Sequence, residues 1–401
     1  MTGIVVIGAG QAGAALVAKL RALGHAGPVT LIGAEPVPPY QRPPLSKAYL
    51  LGEMPLERLF LRPESFYAEQ GITLLTGARV RGIDPAARQV HLADRSLPYE
   101  QLALTTGAVP RRLPAALGGD LAGVHVVRSL ADVDALAPAI APGARAVIVG
   151  GGYIGLEAAA VARKRGLAVT VIEAAPRILQ RVAAAETSDH VRALHRSHGV
   201  EVLEAAPLAR LQGQGGHVCA AELANGRVIE ADVVITGIGV DPDVALARDA
   251  GLAIDNGVAT DAQGRTSAAQ VWAAGDCASF PAQGGRLRLE SVQNAIDQAE
   301  CVAANMLGAG TSYAPVPWFW SDQFDMKLQI AGLGTGHDRL VVRRAGAGRS
   351  HWYFAGERFL AVDAMNDPRA YMVGKRLLEA GRSPDPAILA DPATDLKALL
   401  R

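Results

Sequence analysis

Cysteine is scarce in this chain of 401 residues: only Cys219, Cys277 and Cys301 occur, far apart and in no CxxC or zinc-ligand spacing. That pattern suggests neither a disulfide framework nor a metal site, so no metal ligands are expected. An excess of either charge is also missing, since Lys plus Arg and Asp plus Glu each total 39. No net field therefore draws the chain to nucleic acid or an anionic membrane, and a charged partner must be met by a local patch. Long apolar runs are lacking too, none approaching the length that crosses a bilayer. The opening MTGIVVIGAG enters an apolar strand at once, with no basic leader region and no secretory cleavage pattern. A soluble, cytoplasmic monomer with no nucleic-acid or membrane partner is the expectation.

What is present is a repeat. Half of the residues are apolar, and the length exceeds what one core usually organises, so two or three domains are expected. The stretch VVIGAGQAG (residues 5–13) has a near copy in VIVGGGYIGLE (residues 147–157). The first loop, with Gly8, Gly10 and Gly13, follows a strand, opens the helix pattern QAGAALVAKLRALG and leads to a strand VTLIGAE ending on Glu35. The second, with Gly150, Gly152, Ile154 and Gly155, repeats each part in order and ends AVTVIE on Glu173. A single GxGxxG is weak, but a strand before, a helix after and an acid about twenty residues on make the setting of a dinucleotide site. The glycines let backbone N–H groups approach a pyrophosphate, and the helix start adds partial positive charge. Two such loops imply two dinucleotides; tight helix–strand packing alone could account for one of them.

Two later strand ends return to these loops: YEQLALTTGAVP reaches Thr106 and Gly107, and ADVVITGIGVDPD carries Gly239. The segments ITLL, ARVRGI and QVHL read as small antiparallel strands, and residues 200–230 behave similarly. QVWAAGDCASF is a strand ending on Gly275 and Asp276, where an open parallel sheet binds ligands and a carboxylate can accept sugar hydroxyls. ESVQNAIDQAECVAANMLG is a helix stopped by Gly308. After Pro315 the composition changes. PVPWFWSDQF precedes strand-like runs LQIAGL, RLVVRR, HWYFAG and RFLAVDAM, then helices expected at 370–380 and 393–400.

The two glycine loops, PYQRPPLSK (residues 39–47), AAGDCA (residues 273–278) and PWFWSDQ (residues 317–323) together resemble the FAD-containing, NADH-dependent ferredoxin reductases of the putidaredoxin reductase type. The resemblance spans the chain and keeps motif order. It implies an α/β fold of the glutathione-reductase kind: two Rossmann-like dinucleotide-binding domains plus a C-terminal α+β domain with an antiparallel sheet. The boundaries expected are 1–108 and 241–314 for FAD, 109–240 for NAD and 315–401 for the C-terminal domain.

By that resemblance Gly8, Gly10, Ala12 and Gly13 hold the FAD pyrophosphate, and Asp276 bonds its ribityl or pyrophosphate region. Val80, Arg128, Val292 and Trp320 fall where relatives contact FAD or line the flavin edge; a Trp is also commonly plain core. Arg42 and Lys47 lie in a proline-stiffened loop that alone reads equally well as a rigid surface connection. Relatives hold the adenosine ribose with an acid at the position of Ala34, so Glu35, one step later, is the residue assigned here. At the second site Glu173 can accept both ribose hydroxyls and would repel a 2′-phosphate, which favours NADH; Arg177 is the nearby cation that would weaken this.

Lys47 and Glu157 resemble the Lys–Glu pair placed beside flavin N5 and the nicotinamide in glutathione-reductase-like proteins. Glu157 taken by itself is also an ordinary first-turn acid. Disulfide reductases and peroxidases of this fold carry cysteine in the segment matching PYQRPPLSKAYL, which here has none. The implied activity is hydride transfer from NADH to FAD, then single electrons to a [2Fe-2S] ferredoxin that serves a cytochrome monooxygenase or ring-hydroxylating dioxygenase. A peroxidase or disulfide reductase, and a redox-regulated binding flavoprotein like apoptosis-inducing factor, are the alternatives. Lys327, Arg339, Arg343, Arg344 and Arg349 form a basic run that suits an acidic ferredoxin or is a solvated sheet face. Glu300 stands where relatives often carry a docking Arg.

Overall fold

The strand Gly3–Ile7 is buried along its whole length, as an apolar run in the middle of a parallel sheet must be when both faces are covered. Alternate residues part to opposite faces. Ile4 and Val6 join Leu16, Val17 and Leu20 of the helix Gln11–Ala22 and Val302 of the helix Val292–Met306. Val5 and Ile7 join Val80, Val90, Leu102 and Leu104. The computed structural model describes residues 3–282 and 284–401; Met1 and Thr2, which head the expected FAD domain, and Gln283 within it lie outside the described residues.

The chain divides into two compact units. The first comprises Met1–Gln41, Pro55–Val109 and Val240–Pro315. Its parallel sheet runs Ile72–Leu75, Val29–Ile32, Gly3–Ile7, Ser96–Leu104, Val271–Ala273. Here one expectation is corrected. Gly82–Asp84 and Gln89–His91 are antiparallel as read, but Ile72–Leu75 (ITLL) runs parallel to Val29–Ile32. The connection decides this: the helix Glu64–Glu69 lies in the crossover, which returns the chain in its original direction.

The second unit comprises Arg42–Met54, Pro110–Gly239 and Val316–Arg401. Its parallel sheet repeats the plan, with Arg145–Val149 between Ala168–Ile172 and Val233–Thr236, and Glu201–Leu203 and Val124–His125 outside. Leu208–Gln214, His217–Leu223 and Val228–Glu230 form a small antiparallel sheet. A five-stranded antiparallel sheet follows in the order Trp318–Gln323, Met326–Gly332, Arg358–Met365, Gly348–Ala355, Arg339–Ala345. The helix Pro368–Glu379 packs closely on it at Gly374, where a Cβ would stand 2.5 Å from the Val362 side chain.

The expected helix over 393–400 is replaced by a short helix Pro386–Ala390 and a 3₁₀ turn Leu396–Leu400. Asp385 and Asp395 each cap a new start and Asp391-Pro392 separates them, so no helix continues through. Arg343 is corrected as well. It is 4% exposed and donates to the carbonyls of Leu389, Asp391, Pro392 and Thr394, so it clamps the C-terminal tail and is no part of a surface patch. Among the described residues no helix is long and apolar enough to cross a membrane, and no group of three or more His, Cys, Asp or Glu could hold a metal ion.

Candidate functional site

The two glycine loops obey the same steric logic. Gly8 has φ +113°, and a Cβ there would lie 2.2 Å from the Thr105 carbonyl oxygen; Gly150 has φ +107°, and its Cβ would lie 2.5 Å from the Gly237 carbonyl oxygen. In both, the first glycine turns the chain against the returning strand, in a backbone region that side chains resist. Gly13 would meet Gly8 O at 2.1 Å, and Gly155 would meet Gly150 O at 2.2 Å, so the third glycine lets helix and loop close together. The middle glycines differ in kind. A Cβ on Gly10 would meet nothing within 4 Å, and one on Gly152 nothing nearer than 4.0 Å. Gly10 and Gly152 are also the N-caps of their helices, with no side chain capping the first-turn N–H groups. An open face over uncapped N–H donors is what a pyrophosphate needs, so both loops fit a dinucleotide.

Around the first loop, Thr105 Oγ1 donates to Gly8 O at 2.8 Å and fixes the turn. Thr106 Oγ1 donates to Asp243 O at 2.6 Å, and Gly107 O accepts from Asp243 N at 2.9 Å, which ties the two strands that leave this unit. Ala12 is buried and stands 3.0 Å from the Cβ position of Gly275. That contact seats the turn carrying Asp276 against the start of the first helix. Val292 opens the helix capped by Ser291, whose hydroxyl accepts from Asn294 N at 3.1 Å. Glu35 is half-buried and accepts from the Tyr40 hydroxyl at 2.7 Å, while Ala34 is exposed. Strand pairing ends at Ile32, so pleat alternation does not govern which of the two turns inward. Val80 packs in the core behind the sheet. Glu300 forms an ion pair with Lys19 at 2.9 Å.

At the second loop Glu173 accepts the Gly151 N–H at 2.7 Å and the Ala175 N–H at 2.8 Å. Arg177 is turned away: its guanidinium donates to the Ser188 hydroxyl at 2.5 Å and to the carbonyls of Ala184 and Gln180. Ile154 is exposed on the first helical turn. Gly239 has φ +101°, and its carbonyl accepts from Arg111 N at 3.0 Å. Arg42 donates to the Arg128 carbonyl, so these two residues are also neighbours.

Lys47 and Glu157, 110 positions apart by their numbering, meet with Nζ 2.9 Å from Oε2; their side chains are 20% and 6% exposed. The helix Tyr153–Lys164 presents Glu157 inward, and the 3₁₀ turn Pro43–Ser46 delivers Ser46 and Lys47 to it. Sequence reasoning missed what surrounds the pair. Ser46 Oγ donates to Glu157 Oε2 at 2.8 Å, and Ser321 Oγ donates to Glu157 Oε1 at 2.7 Å. Gln323 Nε2 donates to Ser321 Oγ at 3.1 Å, and Gln323 Oε1 lies 2.9 Å from His195 Nε2. Ser321, Gln323 and His195 are all fully buried. Burial pushes His195 down to about 4, so its ring is neutral at physiological pH. Trp320, next along the same strand, stacks obliquely with Trp318 and Phe319. The available signal was Ser321 and Gln323 at period two, polar residues sharing one face of a strand.

The sequence model of the family described as pyridine nucleotide-disulphide oxidoreductase matches residues 2–299, and that described as reductase C-terminal matches residues 318–400. A ferredoxin–NAD(P)(+) reductase of Sphingomonas sp is 45% identical, over 98% of this chain and 96% of its own. The rhodocoxin reductase of Rhodococcus erythropolis is 43% identical, over 98% of this chain and 93% of its own. Among solved structures, the reductase of a covalent putidaredoxin reductase–putidaredoxin complex is similar with a TM-score of 0.96 at 38% identity, covering 100% of this chain and 98% of that one.

Proposed function

The chain belongs to the pyridine nucleotide-disulphide oxidoreductase family, and from that membership we propose that it is an FAD-dependent reductase that takes hydride from NADH and passes single electrons to a [2Fe-2S] ferredoxin. The ferredoxin in turn serves a cytochrome monooxygenase or a ring-hydroxylating dioxygenase. The observation that carries this reading is the segment 39–50, which bears Lys47 bound to Glu157 and contains no cysteine. A disulfide or peroxide reductase needs a thiol there, whereas an enzyme that sends electrons straight from its cofactor to a protein does not.

The chemistry FAD supplies when bound is the conversion of a two-electron donor into one-electron steps, which an iron–sulfur acceptor requires. Gly8, Gly10 and Gly13 would hold its pyrophosphate, Ala12 and Gly275 set the place of Asp276, and Glu35 serves the adenosine ribose. Gly150, Gly152 and Gly155 would hold NADH, with Glu173 on its ribose; the carboxylate disfavours a 2′-phosphate, and Arg177 is engaged elsewhere. Lys47 is the residue that would compensate negative charge on a reduced flavin, and Glu157 would keep the ammonium in place. Residues 1–108 with 241–314 are read as the FAD domain, 109–240 as the NAD domain and 315–401 as the C-terminal domain. We place the protein in the cytoplasm, where NADH is available.

The test is NADH-driven reduction of cytochrome c with and without candidate ferredoxins from the same organism, with NADPH as control. Strong acceleration by one ferredoxin is the expected result. Colourless protein that cannot be reconstituted with flavin, or colour that NADH does not bleach, would end this reading.

A further inference from the structure

The Lys47–Glu157 pair does not stand alone in its half of the chain; a directed row of hydrogen bonds leads to it. Gln323 Nε2 gives its proton to Ser321 Oγ at 3.1 Å, so the Ser321 hydroxyl proton is left for Glu157 Oε1 at 2.7 Å. With the amide nitrogen of Gln323 spent on Ser321, its oxygen faces His195 Nε2 at 2.9 Å, and that nitrogen must carry the proton. His195 Nδ1 is then the bare nitrogen, buried and without a partner. Every proton in the row points the same way, from the imidazole to the carboxylate.

We propose that His195, Gln323 and Ser321 are positioning residues for the redox centre: their polarity commits a donor permanently to Glu157 and thereby fixes where the Lys47 ammonium stands. The inference rests on the reading of Lys47 and Glu157 given above. It gives the C-terminal sheet a share in hydride uptake, because Ser321 and Gln323 belong to its strand Trp318–Gln323. The neutral ring suits this task. Burial lowers the His195 pKa, so the imidazole does not take a second proton that would reverse no bond but charge the buried end of the row. The cost is visible: an unpaired buried nitrogen is unfavourable and persists where something else depends on it.

The experiment uses the FAD-loaded enzyme and four variants: Ser321→Ala, Ser321→Thr, Gln323→Glu and, as control, Glu157→Gln. Gln323→Glu keeps the shape of the side chain but cannot donate to Ser321, which then turns its own proton back. Flavin bleaching by NADH is followed at saturating NADH, with FAD content and thermal unfolding measured alongside. Losing a hydrogen bond to a charged group should slow bleaching about tenfold in Ser321→Ala and Gln323→Glu, with NADH half-saturation unchanged. Ser321→Thr, which keeps the hydroxyl, should retain the wild-type rate. A second readout is independent of turnover: nitrogen NMR of histidine-labelled enzyme should show His195 neutral with its proton on Nε2, and doubly protonated in Gln323→Glu.

An unchanged rate in Ser321→Ala, an equal loss in Ser321→Thr, or a His195 proton on Nδ1 would overturn the proposal. If Glu157→Gln also bleaches at the wild-type rate, the assignment of the pair itself fails; if Glu157→Gln is slow and Ser321→Ala is not, only the positioning row fails.

Discussion

The carboxylate of Glu173 closes the second glycine loop by accepting the N–H of Gly151 at 2.7 Å. The same oxygen pair therefore shapes the loop, and on the function proposed above its negative charge would face the nucleotide ribose. A 2′-phosphate brought there meets a like charge that costs several kcal/mol. Steady-state kinetics should show kcat/KM for NADPH roughly a hundredfold below that for NADH. Glu173→Ser should narrow the ratio by helping NADPH, while NADH weakens because the loop loses its support. Equal use of both nucleotides by the unaltered enzyme would contradict the assignment.

The glycine geometry separates the two cradles. Gly13→Ala puts a methyl group 2.1 Å from Gly8 O, and Gly155→Ala puts one 2.2 Å from Gly150 O. Gly13→Ala should purify without yellow colour. Gly155→Ala should stay yellow by absorbance yet resist bleaching by NADH. Gly10→Ala places its methyl in open space; thermal unfolding of the cofactor-free chain should match wild type while FAD affinity falls.

On the function proposed above, removing the ammonium at Lys47 would strip charge compensation from the redox centre. Lys47→Met should slow NADH bleaching by roughly a hundredfold, the usual loss when one preorganised charge stabiliser is taken away. Lys47→Arg should recover part of the rate. Stability falls in Lys47→Met by about 2 kcal/mol in urea titration, since the buried Glu157 loses one of three donors. A variant with wild-type bleaching kinetics would remove Lys47 from the chemistry.

Buried titratable groups give stability an acid limb. His195 and His351 are both pushed down to about 4 by burial. Each is neutral in the fold, so its contribution is complete above the ordinary value of 6.5 and is lost as pH falls towards 4, by up to about 3 kcal/mol each. Asp363 is pushed up to about 6 by burial, which outweighs the hydrogen bonds donated to its carboxylate by Tyr353 and Thr187. Its contribution has the opposite sign: present below 3.8 and lost as pH rises through 6. Between pH 4 and 6 it offsets part of the histidine loss. Unfolding followed across that range should therefore fall more steeply with acid in Asp363→Asn than in wild type, and less steeply in His351→Gln.

Features with a local steric cause could be read from the residues alone. Gly8, Gly13, Gly150 and Gly155 are required by contacts within a few residues or with the next returning strand, so their spacing announces them. The direction of Ile72–Leu75 was not legible, because it depends on a crossover rather than on its four residues. Arg343 looks like its neighbours Arg339 and Arg344 in a list of cations; only the position of the tail distinguishes it. The meeting of Lys47 with Glu157 came through family resemblance, since nothing near either residue specifies the other. Ser321 and Gln323 carried a usable hint, two polar side chains on the inward face of a strand, which a pattern of apolar runs passes over.

Arg343 has one more implication, for what residues 389–394 do for the sheet. Its guanidinium is buried in the sheet, and the four carbonyls that satisfy it belong to residues 389–394. Without residues 389–394 the guanidinium loses those four acceptors and is left to water, and Leu389 leaves the apolar cluster it shares with Trp352 and Phe354. Proteases that nick the tail would accordingly yield an unstable product rather than a trimmed one.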